Sequence, residues 1–198
     1  IINVADAIIV QLPFPPHIDL APILAGLPAD RDVDVIGREA EERFRRGASP
    51  ILPPVVGAIA EIIARDKYDV AGKKAIVVGE GRLVGAPSAL WLRAQGASVR
   101  TLNSHTSNIA EHTREADVLV LGAGVSGLIT PEMVREGVVI FDAGASEAEG
   151  KLVGDADPAC AEKAALFTPV PGGIGPITVA LIFRNLLTLV ERRDGNGD

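Results

Sequence analysis

Lys74-Ala75-Ile76-Val77-Val78-Gly79-Glu80-Gly81-Arg82-Leu83-Val84-Gly85-Ala86-Pro87 is the stretch on which the fold turns. Five residues rich in β-branched side chains predict a strand buried on both faces. A glycine-rich turn follows, and Pro87 sits where the first turn of a helix tolerates proline. Gly79 and Gly81 permit a tight turn and close approach by a phosphate. Gly85 lets the new helix pack near the sheet. The helix N-terminus offers unpaired N–H groups and a partial positive charge to a pyrophosphate. The spacing G-x-G-x-x-x-G is one residue longer than the usual dinucleotide fingerprint, so the bare motif also fits glycines that only turn the chain.

The same rhythm extends in both directions. Short apolar segments at 7–11, 74–78, 98–102, 118–121, 138–141 and 166–168 predict strands. Segments with helical spacing lie between and around them, at 53–65, 87–95, 109–114, 131–135, 158–163 and 177–192. The first carries Val56, Ile59, Ala60 and Ile63 on one stripe, and the last carries Leu181, Ile182, Leu186, Leu189 and Val190. Alternating strands and helices imply a parallel sheet with right-handed crossovers. The expected fold class is α/β: a Rossmann-type doubly wound parallel sheet of five strands from about Val70 to Thr168, with helices on both faces. The first 68 residues are less regular, and their Arg/Glu-rich run at 38–46 reads as a solvated face.

Two further turns, Leu121-Gly122-Ala123-Gly124-Val125 and Asp142-Ala143-Gly144-Ala145-Ser146, each follow a strand. Ligands of open α/β sheets sit beyond the strand C-termini, so these loops line the same crevice as the first turn. Asn103-Ser104-His105-Thr106 ends the second strand at that edge. Its hydroxyls suit a ribose or its 2′-phosphate, or else Ser104 or Ser107 caps the next helix.

Composition removes other classes. The 198 residues carry 19 basic and 26 acidic side chains, a net charge of -7, and no basic cluster, which argues against a nucleic-acid partner. No uninterrupted apolar run approaches the ~18 residues of a membrane span, so no membrane association is expected. One cysteine, Cys160, excludes a disulfide framework and a multi-cysteine zinc site. It sits in a polar–alanine segment away from the glycine turns and reads as structural. His17, His105 and His112 do not form a metal motif, and no metal is expected.

Five segments, in order, resemble the bifunctional methylenetetrahydrofolate dehydrogenase/methenyltetrahydrofolate cyclohydrolases. Val10-Gln11-Leu12-Pro13-Phe14-Pro15 is similar to the family's V-Q-L-P-L-P, and Arg31-Asp32-Val33-Asp34 to its K-D-V-D. The strand, glycine turn and Val84-Gly85-Ala86-Pro87 resemble V-V-G-R-S-x-x-V-G-x-P. Gly150-Lys151-Leu152-Val153-Gly154-Asp155 adds another piece. Pro169-Val170-Pro171-Gly172-Gly173-Ile174-Gly175-Pro176-Ile177-Thr178 nearly repeats T-P-V-P-G-G-V-G-P-M-T. The resemblance runs from about Val4 to Arg192.

It implies a smaller N-terminal α/β folate-binding lobe, of which residues 1–68 are the C-terminal part. An NAD(P)-binding Rossmann domain over 69–168 follows. A P-G-G loop and C-terminal helix over 169–193 return to the first lobe; the polar residues 194–198 read, from their composition, as a disordered tail. It implies oxidation of methylenetetrahydrofolate with NADP or NAD, then hydrolysis of the methenyl product to formyltetrahydrofolate in one-carbon metabolism. The substrate lies in the cleft between the lobes, and the enzyme is a cytoplasmic homodimer. By position, Gln11 supports the catalytic lysine, and Asp34 grips the pterin's amino-pyrimidine edge with paired acceptors. Pro171, Gly172 and Gly173 meet substrate. Gly79, Glu80, Gly81, Arg82, Val84, Gly85, Ser104, Gly124, Ala145 and Thr178 meet the cofactor.

The departures are specific. The family's Y-x-x-x-K motif, with its catalytic lysine and tyrosine, precedes Q-L-P and is not among these residues. With the opening Ile1-Ile2-Asn3, this gives the expectation of a fragment that is inactive alone. Glu80 replaces the arginine that meets a 2′-phosphate, and a carboxylate there favours NAD, with Arg82 restoring part of the lost charge. Val35-Ile36-Gly37-Arg38-Glu39-Ala40 and Pro50-Ile51-Leu52-Pro53-Pro54-Val55 depart from the family on the folate side. The alternatives are another Rossmann oxidoreductase, which would not be expected to carry both proline-rich blocks, and a non-catalytic nucleotide-binding or dimerisation module.

Overall fold

The structure is a computed structural model that describes residues 4–148 and 150–195. Five strands, β1 (Lys74–Val78), β2 (Ser98–Leu102), β3 (Val118–Leu121), β4 (Val139–Asp142) and β7 (Leu166–Thr168), form one parallel sheet in the order β2-β1-β3-β4-β7. The expected doubly wound α/β fold is therefore present. Every residue of β3 and β4 is buried, and only Lys74 of β1 is exposed, as continuous apolarity predicts for strands covered on both faces. Ile76, Val78, Leu119, Leu121 and Ile140 meet Ile129, Val134 and Cys160 in one core cluster. A hairpin of β5 (Ser146–Ala148) and β6 (Lys151–Val153) stands apart from the sheet and was not expected from the sequence.

The helices are α1 (Leu20–Ala25), α2 (Arg38–Arg45), α3 (Pro54–Asp66), α4 (Gly85–Ala94), α5 (Ile109–Thr113) and α6 (Ile174–Asp194). The segments expected as helices near 131 and 158 are 3₁₀ turns, Pro131–Met133 and Pro158–Glu162, too short to close a full α-helical ladder. α2 is the Arg/Glu-rich run. Its ion pairs Glu39–Arg43, Glu41–Arg45 and Glu42–Arg46 lie four residues apart on a solvated face. The strand expected at 7–11 is reduced to a single bridge between Ile8 and Asp32, with Ile8 N–H donating to the Arg31 carbonyl at 2.8 Å. The partner segment turns directly after the bridge, where Asp32 accepts from the N–H groups of Asp34, Val35 and Gly37, so no ladder extends along 9–11.

Two compact units divide the chain: residues up to Gly57 together with those from Thr178, and Ala58–Ile177. The divisions fall inside α3 and α6. Within the first unit, Leu189 joins Val33, Val35, Ala40 and Ile51 in the core, with Ile182 and Leu186 packed against it. Asn185, 4% exposed, donates from Nδ2 to the carbonyls of Val33 and Leu52, both at 2.9 Å. α6 thus returns to the N-terminal residues. With 21 residues it is also long and apolar enough to cross a membrane on length and composition alone. Thr178, Arg184 and Asn185 interrupt it, so it holds no uninterrupted apolar run of that length. Val179, Phe183 and Leu187 form an exposed apolar line on it. Asp194, expected to begin a disordered tail, ends α6, and Gly195 N–H donates to the Glu191 carbonyl at 2.9 Å. Residues 1–3 and 196–198, which carry the expectations about the opening and the tail, lie outside the described residues.

Candidate functional site

The C-terminal edge of the parallel sheet gathers most of the predicted cofactor residues. The chain passes from β1 to β2 on one side and then to β3 on the other, so the strand order reverses between β1 and β3. Open α/β sheets bind ligands at that reversal. Gly79 leaves β1 with φ +101°, in the region that favours glycine. A Cβ on Gly79 would run into the Gly122 carbonyl, and a Cβ on Gly85 into the Gly79 carbonyl. The turns after β1 and β3 therefore touch backbone to backbone, and α4 starts directly on the first turn. The positive end of the ten-residue α4 faces this turn.

Glu80, Gly81 and Arg82 are exposed, and Val84 is half-buried as the N-cap of α4. The Glu80 carboxylate accepts from Asn103 Nδ2 at 3.0 Å. Asn103 is held in turn, its N–H donating to Thr106 Oγ1 and its Oδ1 accepting from the His105 N–H, both at 3.0 Å. Ser104 is exposed at the tip of the same turn. Neither Ser104 nor Ser107 caps α5, whose N-cap is Asn108 at φ +56° with no side-chain cap bond. The capping alternative for Ser104 is thereby removed.

Beyond β3, Gly124 is exposed at φ +68°, and beyond β4, Ala145 is exposed. Two carboxylates that sequence reasoning had not singled out lie beneath these loops. Asp142, 1% exposed, accepts N–H bonds from Gly144 (2.9 Å), Asp155 (3.2 Å) and Ala156 (2.9 Å). Burial raises its pKa against the lowering effect of those donors. Asp155, fully buried, accepts from the N–H groups of Ala123 (2.6 Å), Gly124 (3.2 Å) and Val125 (2.8 Å). The only sequence signal for either was a nearby glycine, Gly144 two residues after Asp142 and Gly154 directly before Asp155.

After β7, Pro171 and Gly172 are exposed, with Gly172 at φ +102°. Gly173 N–H donates to the Pro169 carbonyl at 2.7 Å, and a Cβ on Gly173 would crowd Thr168 and Pro169. α6 follows at once, with Thr178 half-buried in its second turn.

In the first unit, Asp34 is half-buried and its pKa is pushed up to about 6, by burial first and then by the charge of Asp32. Asp32 is fully buried and holds the turn: Oδ2 accepts from Gly37 N–H at 2.7 Å and Oδ1 from Asp34 N–H at 3.3 Å. Gln11 is exposed, and its Nε2 donates to the Leu12 carbonyl at 3.0 Å. Cys160 is buried, with its Sγ 3.5 Å from the Ile129 carbonyl and its thiol pushed up to about 11, chiefly by burial. Such a thiol is no nucleophile near neutral pH.

A glycine turn with no room for a side chain at Gly79 or Gly85, at the reversal of a parallel sheet and at the start of a helix, defines the class as a doubly wound nucleotide-binding domain. Residues 53–194 match the tetrahydrofolate dehydrogenase/cyclohydrolase NAD(P)-binding domain. The chain is 37% identical to a bifunctional protein FolD from an Exiguobacterium over 186 residues, covering 93% of this chain and 66% of that one. It is 38% identical to a FolD of Acidithiobacillus ferrooxidans over 195 residues, covering 98% of this chain and 68% of that one. The FolD methylenetetrahydrofolate dehydrogenase/cyclohydrolase structure from Campylobacter jejuni superposes with a TM-score of 0.91 at 34% identity, covering 95% of this chain and 68% of that one. The Trypanosoma brucei enzyme, complexed with NADP and inhibitor, gives 0.89 at 33%, with 95% and 67% covered. The chain belongs to the tetrahydrofolate dehydrogenase/cyclohydrolase family. It spans about two thirds of the length of these relatives.

Proposed function

We propose that this protein oxidises methylenetetrahydrofolate with a nicotinamide dinucleotide and hydrolyses the methenyl product to formyltetrahydrofolate. The observation that carries the reading is the backbone cradle formed by Gly79, Gly85 and Gly122, in a chain whose relatives are bifunctional FolD proteins. The cradle suits a pyrophosphate, because these contacts press the turns after β1 and β3 together at the start of α4, and the α-carbon of Gly81 between them faces open space. Val84, Gly124, Ala145 and Thr178 complete the cofactor's surroundings, and Pro171, Gly172 and Gly173 meet the substrate. The bound nicotinamide supplies a hydride acceptor.

Glu80 favours NAD over NADP in this reading. Asn103 holds its carboxylate at the turn, where it accepts from a ribose hydroxyl and repels a 2′-phosphate. Arg82 and Ser104 offset part of that repulsion, so the preference is moderate. Asp34 presents paired acceptors to the pterin's amino-pyrimidine edge, and its raised pKa leaves it ionised above about pH 6. Gln11 supports the lysine that moves the proton. In the family that lysine belongs to a Y-x-x-x-K segment before Q-L-P, which is not among the 198 residues. We place the protein in the cytoplasm as a homodimer.

The test is an assay of the protein encoded by the whole reading frame. Dinucleotide reduction dependent on methylenetetrahydrofolate, followed by loss of the methenyl chromophore, supports the proposal. Absence of both activities alongside tight dinucleotide binding would leave a nucleotide-binding module instead.

A further inference from the structure

We propose that Asp155 is a positioning residue for the dinucleotide, acting by fixing the loop after β3. The inference rests on the nucleotide-binding reading of this edge. Loops at strand C-termini are exposed and lack ladder bonds of their own, so something must hold their shape. Here one buried carboxylate takes the three successive N–H groups of Ala123, Gly124 and Val125 at 2.6, 3.2 and 2.8 Å. Three converging amide dipoles resemble an anion nest, and the protein fills it with its own side chain.

The geometry around Asp155 is built for that purpose. A Cβ on Gly144 would overlap the Asp155 carboxylate, and a Cβ on Gly154 would overlap that of Asp142. Both glycines are thus the room in which the two carboxylates sit. Asp142 in turn accepts the backbone N–H groups of Asp155 and Ala156 at 3.2 and 2.9 Å, which fixes the segment carrying Asp155 to the end of β4. Gly127 N–H donates to the Gly154 carbonyl at 3.4 Å and Ile129 N–H to the Asp155 carbonyl at 3.0 Å, closing the far side of the loop. The held loop begins at Gly122, whose carbonyl backs Gly79 and whose α-carbon faces Val84. A shift in the β3 loop therefore moves the surface against which the phosphate-binding turn is shaped. Asp155 does not touch the cofactor in this scheme. It sets the backbone that does.

Asp155→Asn tests the inference, because it keeps the shape while turning one acceptor atom into a donor that faces backbone N–H groups. Asp157→Asn is the control for charge, since the Asp157 side chain caps the 3₁₀ turn Pro158–Glu162 through the Ala159 N–H and takes none of the N–H groups of the β3 loop. The expected result is a dissociation constant for NAD weakened about tenfold or more in Asp155→Asn, with faster amide exchange at 122–127 and unchanged exchange in β1 and β3. In the active whole protein, KM for the dinucleotide rises while kcat at saturation stays within about twofold. Asp155→Ser, which fits the same space with one acceptor, replaces the Asn variant if that fails to fold. Cofactor affinity equal to that of Asp157→Asn, with or without faster loop exchange, overturns the inference. Wild-type protein that binds neither NAD nor NADP overturns the nucleotide reading itself, and the positioning role with it.

Discussion

Asn185 ties the C-terminal helix to the N-terminal residues of the first unit. It lies on the buried side of α6, and its Nδ2 bridges the carbonyls of Val33 and Leu52 at 2.9 Å each. Asn185→Ala removes two hydrogen bonds at a net ~1 kcal/mol apiece. It also strands the Val33 carbonyl in a residue with no exposed surface, which adds about 1 kcal/mol, whereas half-buried Leu52 can recruit water. The sum is roughly 3 kcal/mol, or about 6–12 °C in Tm for a protein of this size. Urea and thermal denaturation followed by circular dichroism measure it. Asn185→Leu separates bonding from packing: it fills the space without serving either carbonyl, so it should lose nearly as much. Because Val33 adjoins Asp34, both variants should also weaken folate binding in the whole protein. An alanine variant within ~0.5 kcal/mol of wild type, or a leucine variant as stable as wild type, would refute the reasoning.

Three further outcomes follow from the geometry. Asp34 binds its proton more tightly folded, up to about 6, than at its ordinary value of 3.8, so its contribution to stability is greatest below about pH 4 and falls as pH rises through 6. Asp34→Asn should flatten that slope in pH-dependent denaturation. Gly85→Ala forces a Cβ to within 2.7 Å of the Gly79 carbonyl carbon and 3.2 Å of the Glu80 α-carbon. It should weaken dinucleotide binding by roughly five- to 150-fold by calorimetry, because an overpacked turn costs about 1–3 kcal/mol to reshape. Glu80→Arg in the whole protein should move the ratio of kcat/KM values towards NADP by roughly tenfold, about 1.4 kcal/mol. An unchanged ratio would mean that selection lies elsewhere in the 103–107 loop.

Legibility in the sequence followed the physics of each element. β1 and β3 have the bounds that apolar continuity predicts, and β4 differs by one residue at each end, because strands buried on both faces admit few polar residues; the edge strands β2 and β7 also have the expected bounds, although β2 carries Ser98, Arg100 and Thr101 and buries only Leu102. The glycine turn was legible for a similar reason: backbone contact at Gly79 and Gly85 forbids every other residue, so the constraint is written into the chain. Elements held by little local signal were not legible. α1 has one turn and a half and a single side-chain cap, Asp19 accepting from the Ala21 N–H at 3.0 Å. The β5–β6 hairpin has three residues on each side and little buried surface. Conversely, the 7–11 segment has the apolarity of a strand, but it finds a partner only at Ile8.

The polar residues that organise the candidate site show why spacing alone could not find them. Asp34 and Gln11 were reached through motifs, whereas Asp32, Asp142, Asp155 and Asn185 work on backbone atoms, and backbone atoms leave no residue type behind. Asp142 reads as turn punctuation, and Asn185 as a polar interruption in an apolar helix. A carboxylate with no exposed surface and three N–H donors differs from a surface aspartate only in what surrounds it. One trace does survive in the chain. Gly144 and Gly154 each stand where a Cβ would collide with one of those carboxylates, so each buried acid is paired with a glycine distant in sequence. Gly144 and Gly154, neither of which turns the chain through positive φ, are thus the trace that the two buried acids leave in the sequence. By that logic the glycines of Asp142-Ala143-Gly144 and Val153-Gly154-Asp155 belong to the support beneath the nucleotide edge, while Gly79 and Gly85 shape its surface.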